Sequence, residues 1–222
     1  MKAAPSTKRI PRDVILFTTV YLGLAVIGIL VTGNREFLFY ILVMSILLSA
    51  VTAVHLRVGF SRGVLWGLSF WGLAHMAGGL VPVPANWPIN GNIRVLYSWW
   101  LIPGLLKYDH VVHAYGFGVT TFVCWQGLNA AISRWVNNVP VFPTLGLLVI
   151  CAAAATGFGA LNEVVEFVAV LTIPNTNVGG YINTGWDLVS NLVGTTIAAV
   201  GIRLFYRDSD GSSQATEYEH LG

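Results

Sequence analysis

The sequence predicts an all-α membrane protein: a bundle of six transmembrane helices, both termini cytoplasmic, with an outer interfacial helix or flap between the third and fourth spans. Three observations carry this reading. Of the 222 residues, 55% are hydrophobic and only 10% charged, whereas soluble domains carry about 25% charge. Six apolar stretches are each about long enough to cross a hydrocarbon core that needs roughly 20 helical residues. Finally, the basic residues divide unequally between the two sides that six crossings create. Lys2, Lys8, Arg9, Arg12, Arg57, Arg62, Arg134, Arg203 and Arg207 fall on the side of the termini, and Arg35, Arg94 and Lys107 on the other. Basic loops stay in the cytoplasm, so both ends are placed inside, in the cell (inner) membrane.

The elements follow in order. Residues 1–13 form a basic N-terminal segment. The spans are read as residues 14–32, 37–55, 63–81, 108–132, 144–172 and 184–206, making one transmembrane domain over 14–206. Backbone groups in lipid find no water partners, so each span should be helical. A closed barrel would need alternating segments of about ten residues, which the chain lacks. The first span follows a basic segment as a signal peptide would, but five more spans follow and no small-residue cleavage site ends it. It reads as a retained helix. Residues 207–222 form a polar cytoplasmic tail, expected to be mobile, with Asp208, Asp210, Glu217 and Glu219. Composition also excludes other classes. Two cysteines exclude a disulfide scaffold, the apolar content excludes intrinsic disorder, and a net charge of +2 without a basic stripe excludes nucleic-acid binding.

The long connection between the third and fourth spans reads VPVPANWPINGNIRVLYSWWLIPGLLK. Trp87, Tyr97, Trp99 and Trp100 suit the headgroup layer, where a ring rests on lipid while its polar atom stays wet. Two roles are open to it, a surface anchor or a substrate-gating lid. Close helix contacts are expected at small residues, which let backbones approach: 77–79, Gly116 and Gly118, 152–155, and Gly157 and Gly159.

Polar residues within spans mark the candidate site, because ionisable groups in a bilayer are costly and usually functional. Asp109 and His113 are four apart, Glu163 and Glu166 three apart, and Asp187 and Asn191 four apart. Each pair therefore shares one helix face. At 1.5 Å per residue His75 lies roughly 9 Å below the outer end of its span, with His113 and Glu166 roughly 8 Å, Glu163 roughly 13 Å, Asp187 roughly 5 Å and Asn191 roughly 10 Å down. Four helices thus converge on the outer half of the membrane.

The segments YDHVVHAYGFG, GFGALNEVVEF and NTGWDLVSNLVG, in that order, with LAHMAGG around His75, resemble the family of the bacterial inner-membrane protein YjdF. A more distant resemblance is to the VanZ-like family, known from teicoplanin resistance. The likeness spans roughly residues 37 to 205 and implies a multi-pass bundle with an acid-and-histidine centre. It supplies no mechanism. Asp109, His113, Glu163 and Asp187 match the shared pattern. His110 departs from it, standing where relatives tend to carry Arg or Lys. Asn191 agrees with the VanZ-like form and Glu166 with the YjdF-like form.

Imidazole and carboxylates on facing helices suit Zn, Fe or Mn. The expected ligands are His113, Glu163, Glu166 and Asp187. Asp109 and His75 would handle protons or orient a ligand, and Asn191 and His110 would support them. An open coordination position would then serve an enzyme acting on an envelope lipid or lipid-linked substrate. A proton-linked transporter is the alternative from another class, since Asp, Glu and His relays carry protons. A third reading is a scaffold whose polar network only sets helix register. The chain carries no Walker loop, nucleotide glycine fingerprint or GxSxG elbow. Cys124 and Cys151 read as unreactive buried thiols, His55 as an inner-boundary residue, and His220 as part of the tail.

Overall fold

A computed structural model describes residues 8–136, 141–174 and 176–219, with 207–219 described by backbone alone. Six helices form the body: α1 Arg12–Thr32, α2 Arg35–Val58, α3 Arg62–Leu80, α4 Tyr108–Trp135, α5 Leu145–Thr172 and α6 Tyr181–Glu219. Their local causes are plain. Gly33 ends α1 at φ +67°, donating its N–H to the Ile29 carbonyl at 2.8 Å, and Asn34 caps α2 by accepting the Phe37 N–H at 3.1 Å. Gly59 (φ +81°) and Ser61 make the same pair of stops between α2 and α3. Glycine suits the first role because it carries no Cβ to clash at positive φ, and a short side-chain acceptor suits the second.

Helices α1, α2, α5 and the Tyr181–Tyr206 part of α6 are long and apolar enough to cross a membrane. They project large apolar side chains outward, among them Leu30, Leu42, Ile150 and Ile197. A water-soluble protein does not show so extensive an apolar surface. α3 and α4 fall short on apolarity, and their place in the bundle explains this. α4 packs on α6 most extensively and also on α3 and α5, so its buried face carries His110, His113 and Thr121 beside Phe117 and Trp125. α3 lies between α1 and α4. α6 continues past the expected end of its span to Glu219. Residues 1–7 of the basic N-terminus, His220 and the side chains of the acidic tail lie outside the described residues.

Most of the small residues expected at helix contacts are found there. A Cβ on Gly79 would strike the Phe37 ring, one on Gly116 the Trp71 indole, and one on Gly159 the Asn191 amide. Gly118 would sit 3.2 Å from the Gly194 carbonyl oxygen, and a Cβ on Gly194 would collide with the backbone of Ala114. α4 and α6 therefore touch backbone to backbone. Gly157 corrects the expectation: nothing lies within 4 Å of its Cβ position. It is two residues from Gly159, and residues two apart on a helix face different ways.

The connection from 82 to 107 forms no α-helix, which removes the interfacial-helix alternative. Pro82, Pro84, Pro88 and Pro103 deny it donors and push their preceding residues to extended backbone. Instead it holds a single 3-10 turn at Leu96–Ser98 and a short antiparallel hairpin, β1 Trp100–Ile102 and β2 Leu106–Lys107. The hairpin turns on Pro103 and Gly104 (φ +72°), with Leu105 N–H bonded to the Ile102 carbonyl at 3.0 Å. Proline then positive-φ glycine is the type II arrangement. Bridges Pro82–Val95 and Ile89–Trp99, the Trp87–Trp99 ring pair at 4.2 Å and the Arg94 guanidinium on the Pro84 and Trp87 carbonyls fold the segment on itself.

At the opposite end of the bundle Lys8 and Arg134 both donate to the Arg57 carbonyl, at 2.9 and 2.7 Å. Arg203 reaches the Pro143 carbonyl. His55 is buried there beside Phe60. Cys124 and Cys151 are free thiols that share an apolar cluster with Trp125, Leu148 and Ile202.

Gly194→Ala is expected to destabilise the fold by about 1–3 kcal/mol through overpacking, read as a lower Tm in detergent. Gly157→Ala, with open space around it, should change stability by less than about 1 kcal/mol and in the favourable direction.

Candidate metal centre

The centre is assembled at the end of the bundle that the 82–107 connection covers. α4 opens directly out of β2, and His110 starts it: its Nδ1 accepts the Lys107 N–H at 3.3 Å. One turn along, the α4 face carries Asp109 and His113. α5 contributes Glu163 and Glu166, and α6 contributes Asn183, Asp187 and Asn191 at intervals of four. Asp187 and Asn191 are wholly buried, His113 is 5% and Glu163 8% exposed. Such burial of polar groups requires partners.

His113 is the common member. Its Nε2 lies 3.6 Å from Asp109 Oδ1 and 3.9 Å from Glu166 Oε1; its Nδ1 lies 3.7 Å from Glu163 Oε1 and 3.1 Å from Asn191 Oδ1. Two groups of three offer ligand atoms within 4.8 Å of one another: Asp109, His113 and Asp187, and His113, Glu163 and Glu166. The structure thus gathers the other three expected ligands, Glu163, Glu166 and Asp187, around the His113 imidazole. It also places Asp109 in a ligand group rather than at a distance from it.

A polar chain closes the top of the cluster. The Lys107 ammonium donates to Asp109 Oδ2 at 3.3 Å and to the side-chain Oδ1 of Asn183. The Asn183 amide donates to Asp109 Oδ2 at 3.4 Å and to Asp187 Oδ2 at 2.5 Å. On the α5 side Asn162 donates to Glu166 Oε1 at 3.0 Å. Among the described residues, four carboxyl groups face one ammonium and one imidazole. Both Glu163 oxygens and Asp187 Oδ1 are buried with no hydrogen bond. Carboxyl oxygens buried without a hydrogen-bond donor, in a site short of positive charge, are a donor set that suits a cation.

The centre opens into a cavity of about 350 Å³ whose lining includes Asp109, Glu166, Lys107, Asn183, His75, Tyr97 and Glu36. Glu36 joins this end of the fold across elements, its Oε2 accepting the Asn177 N–H at 2.9 Å. His75 lines the cavity but belongs to neither ligand group. Its Nδ1 is 2.5 Å from the Tyr97 hydroxyl, and its ring lies against Tyr40 and Phe37. Burial pushes the Tyr97 hydroxyl well above its usual value, so it stays protonated beside the His75 ring. His110 lies between Trp100 and Trp186, capping α4 without entering the cluster.

Four contributors went unread in the sequence. Lys107 had a signal, being the only lysine beyond position 8 and two residues before Asp109. Asn183 had one too, since the four-residue interval of Asp187 and Asn191 extends back to it. α6 begins at Tyr181, three residues earlier than expected, so Asn183 falls inside the helix. Asn162 had one as well, standing four residues before Glu166 on the same helix, whereas Tyr97 had none, because its contact with His75 joins distant segments.

A comparison with protein families places residues 13–208 in a family described as a predicted membrane protein, DUF2238. That family is the YjdF-like one, which agrees with the motifs around His75, Asp109, Glu163 and Asp187. No curated protein and no solved structure matches the chain. Matched over most of its length, the chain belongs to the DUF2238 family of predicted membrane proteins.

Proposed function

We propose that this protein is an integral membrane metalloenzyme that binds one divalent cation, Zn, Fe or Mn, at His113 and acts on an envelope lipid or lipid-linked substrate from the outer leaflet. The observation that carries the reading is the set of bare, buried carboxylate oxygens of Glu163 and Asp187 beside His113. Hydrogen-bond networks between membrane helices contribute only about 0.6 kcal/mol per contact on average, too little to offset several buried carboxylates by themselves. A cation would balance them.

The ligands in this reading are His113, Glu163, Glu166 and Asp187, with Asp109 on the cavity side. A bound ion would supply an electrophile and lower the pKa of a water molecule. The chain's own groups do the rest. Asn191 holds the His113 ring through Nδ1, fixing its orientation as partners of metal-ligating histidines do. Asp109, held by Lys107 and Asn183, faces the cavity as a proton acceptor. His75, hydrogen-bonded to the Tyr97 hydroxyl through Nδ1, presents its other ring nitrogen as a proton carrier.

All six helices cross the membrane in this reading, with both ends in the cytoplasm and the centre near the outer surface. Support comes from the basic residues. Lys8, Arg57, Arg134 and Arg203 gather at the end opposite the centre, as the positive-inside rule requires. A green fluorescent protein fused to the C-terminus should therefore fluoresce, and a periplasmic phosphatase inserted at Gly91 should be active. The reverse pattern would invert the bundle.

Metal analysis of purified protein should find about one equivalent of a transition metal in wild type and a loss of most of it in His113→Ala and Glu163→Gln. Chelation should lower the Tm of wild type alone, because an ion at a hundredfold excess over its Kd stabilises by about 2.7 kcal/mol. Unchanged, substoichiometric metal in all three proteins would overturn the reading. Uptake driven by a proton gradient in metal-free proteoliposomes would favour transport instead.

A further inference from the structure

α2 is buried most deeply at its ends, with Met44 between them packed against the apolar cluster that holds Tyr21 and Met76. Its buried residues are Glu36, Phe37 and Tyr40 near one end and His55 at the other. Between them it stands away from α1 and α3, leaving a cavity of about 400 Å³. The wall is hydrocarbon, including Met44, Leu48 and Val51 from α2 and Leu65 and Leu68 from α3. From Val51 to Tyr40 the α2 side of this slot runs about 16 Å at 1.5 Å per residue.

Two features identify the occupant. Along its length Thr18 and Ser69 bond to each other at 2.6 Å, and the rest of the wall is mostly apolar, so the middle offers chiefly apolar contact. Polarity rises at one end, where Tyr40, His75 and Asn162 line it. Tyr40 and His75 also line the polar cavity beside the centre, and Asn162 donates to Glu166 there. One molecule filling both spaces must be apolar over its length and polar at its head. A partner helix, apolar or polar along a whole face, does not match that division.

We infer that the slot between α1, α2 and α3 holds a fatty-acyl chain of a bilayer lipid whose polar head lies in the cavity beside His113. This rests on the lipid-directed reading above and specifies how the lipid is held. Tyr40 and His75 stand at the junction, so the bond joining head to chain lies near the carboxylates of Asp109 and Glu166.

The test uses full-length protein in vesicles of phosphatidylethanolamine and phosphatidylglycerol that contain a phosphatidylethanolamine with a photoactivatable diazirine in one acyl chain. Labelled residues are read by mass spectrometry. Label should concentrate on Met44, Leu48 and Leu68, roughly tenfold above the outward-facing Leu42 and Ile46, a ratio equivalent to about 1.4 kcal/mol. Leu48→Trp and Val51→Trp, which fill the slot from different turns, should each remove that excess and leave the metal content unchanged. Label spread evenly over inward and outward residues, or an excess that survives both substitutions, would overturn the inference. Metal content measured in the same preparations separates the two failures. A filled slot in protein without metal would refute the centre alone, and full metal with an unlabelled slot would refute the acyl site alone.

Discussion

The cost of enclosing four carboxyl groups around one imidazole governs this structure. Asp109, Glu163, Glu166 and Asp187 come from three helices, and each lies within reach of His113 or of another member of the cluster. Charges removed from water are tolerated only with compensating partners, so the helices cannot separate without stranding an acid. Lys107 is drawn down to Asp109 for the same reason, burying its ammonium, and because Lys107 ends β2 it brings the hairpin with it. The covering connection is thus fastened to the site by the charge it neutralises.

Packing and chemistry occupy the same layer of the bundle. Gly194 meets Ala114 one residue beyond His113 on α4 and three beyond Asn191 on α6. That backbone approach brings the Asn191 amide to His113. Gly159 admits Asn191 from the α5 side, one turn before Glu163. Larger residues at these glycines would move the ligand faces apart by more than a hydrogen bond tolerates. Tight packing here contrasts with the slot beside α2. Helices that hold the acids are close, whereas α2, which contributes Glu36, Phe37 and Tyr40 to the polar cavity, leaves a gap along its middle.

The departures from expectation have the same physical origin. Residues 82–107 suggest a membrane-surface helix by their tryptophans and leucines, but four prolines and a Pro-Gly turn commit the backbone to extended and turn conformations. Aromatic content by itself does not set the shape of the backbone. Gly157 looked like its neighbour Gly159 because composition carries no azimuth; two residues of helix turn it away from α6. Lys107 read as one of three outer positive charges, while its burial follows from the acids that fold beneath it.

What the sequence alone determined was everything set by local repetition: the number of long helices, nearly all their ends, and the pairing of polar residues onto single faces, because apolar runs, caps and i, i+4 spacing act over a few residues. The tertiary structure decided which faces meet. It made His113 the shared neighbour of every candidate ligand, brought Lys107 to Asn183, directed His75 to Tyr97, and left a slot along α2. Those outcomes depend on distances between residues far apart in the chain, and such distances are set by glycine-mediated close approach and charge compensation, which exist only once the helices have packed.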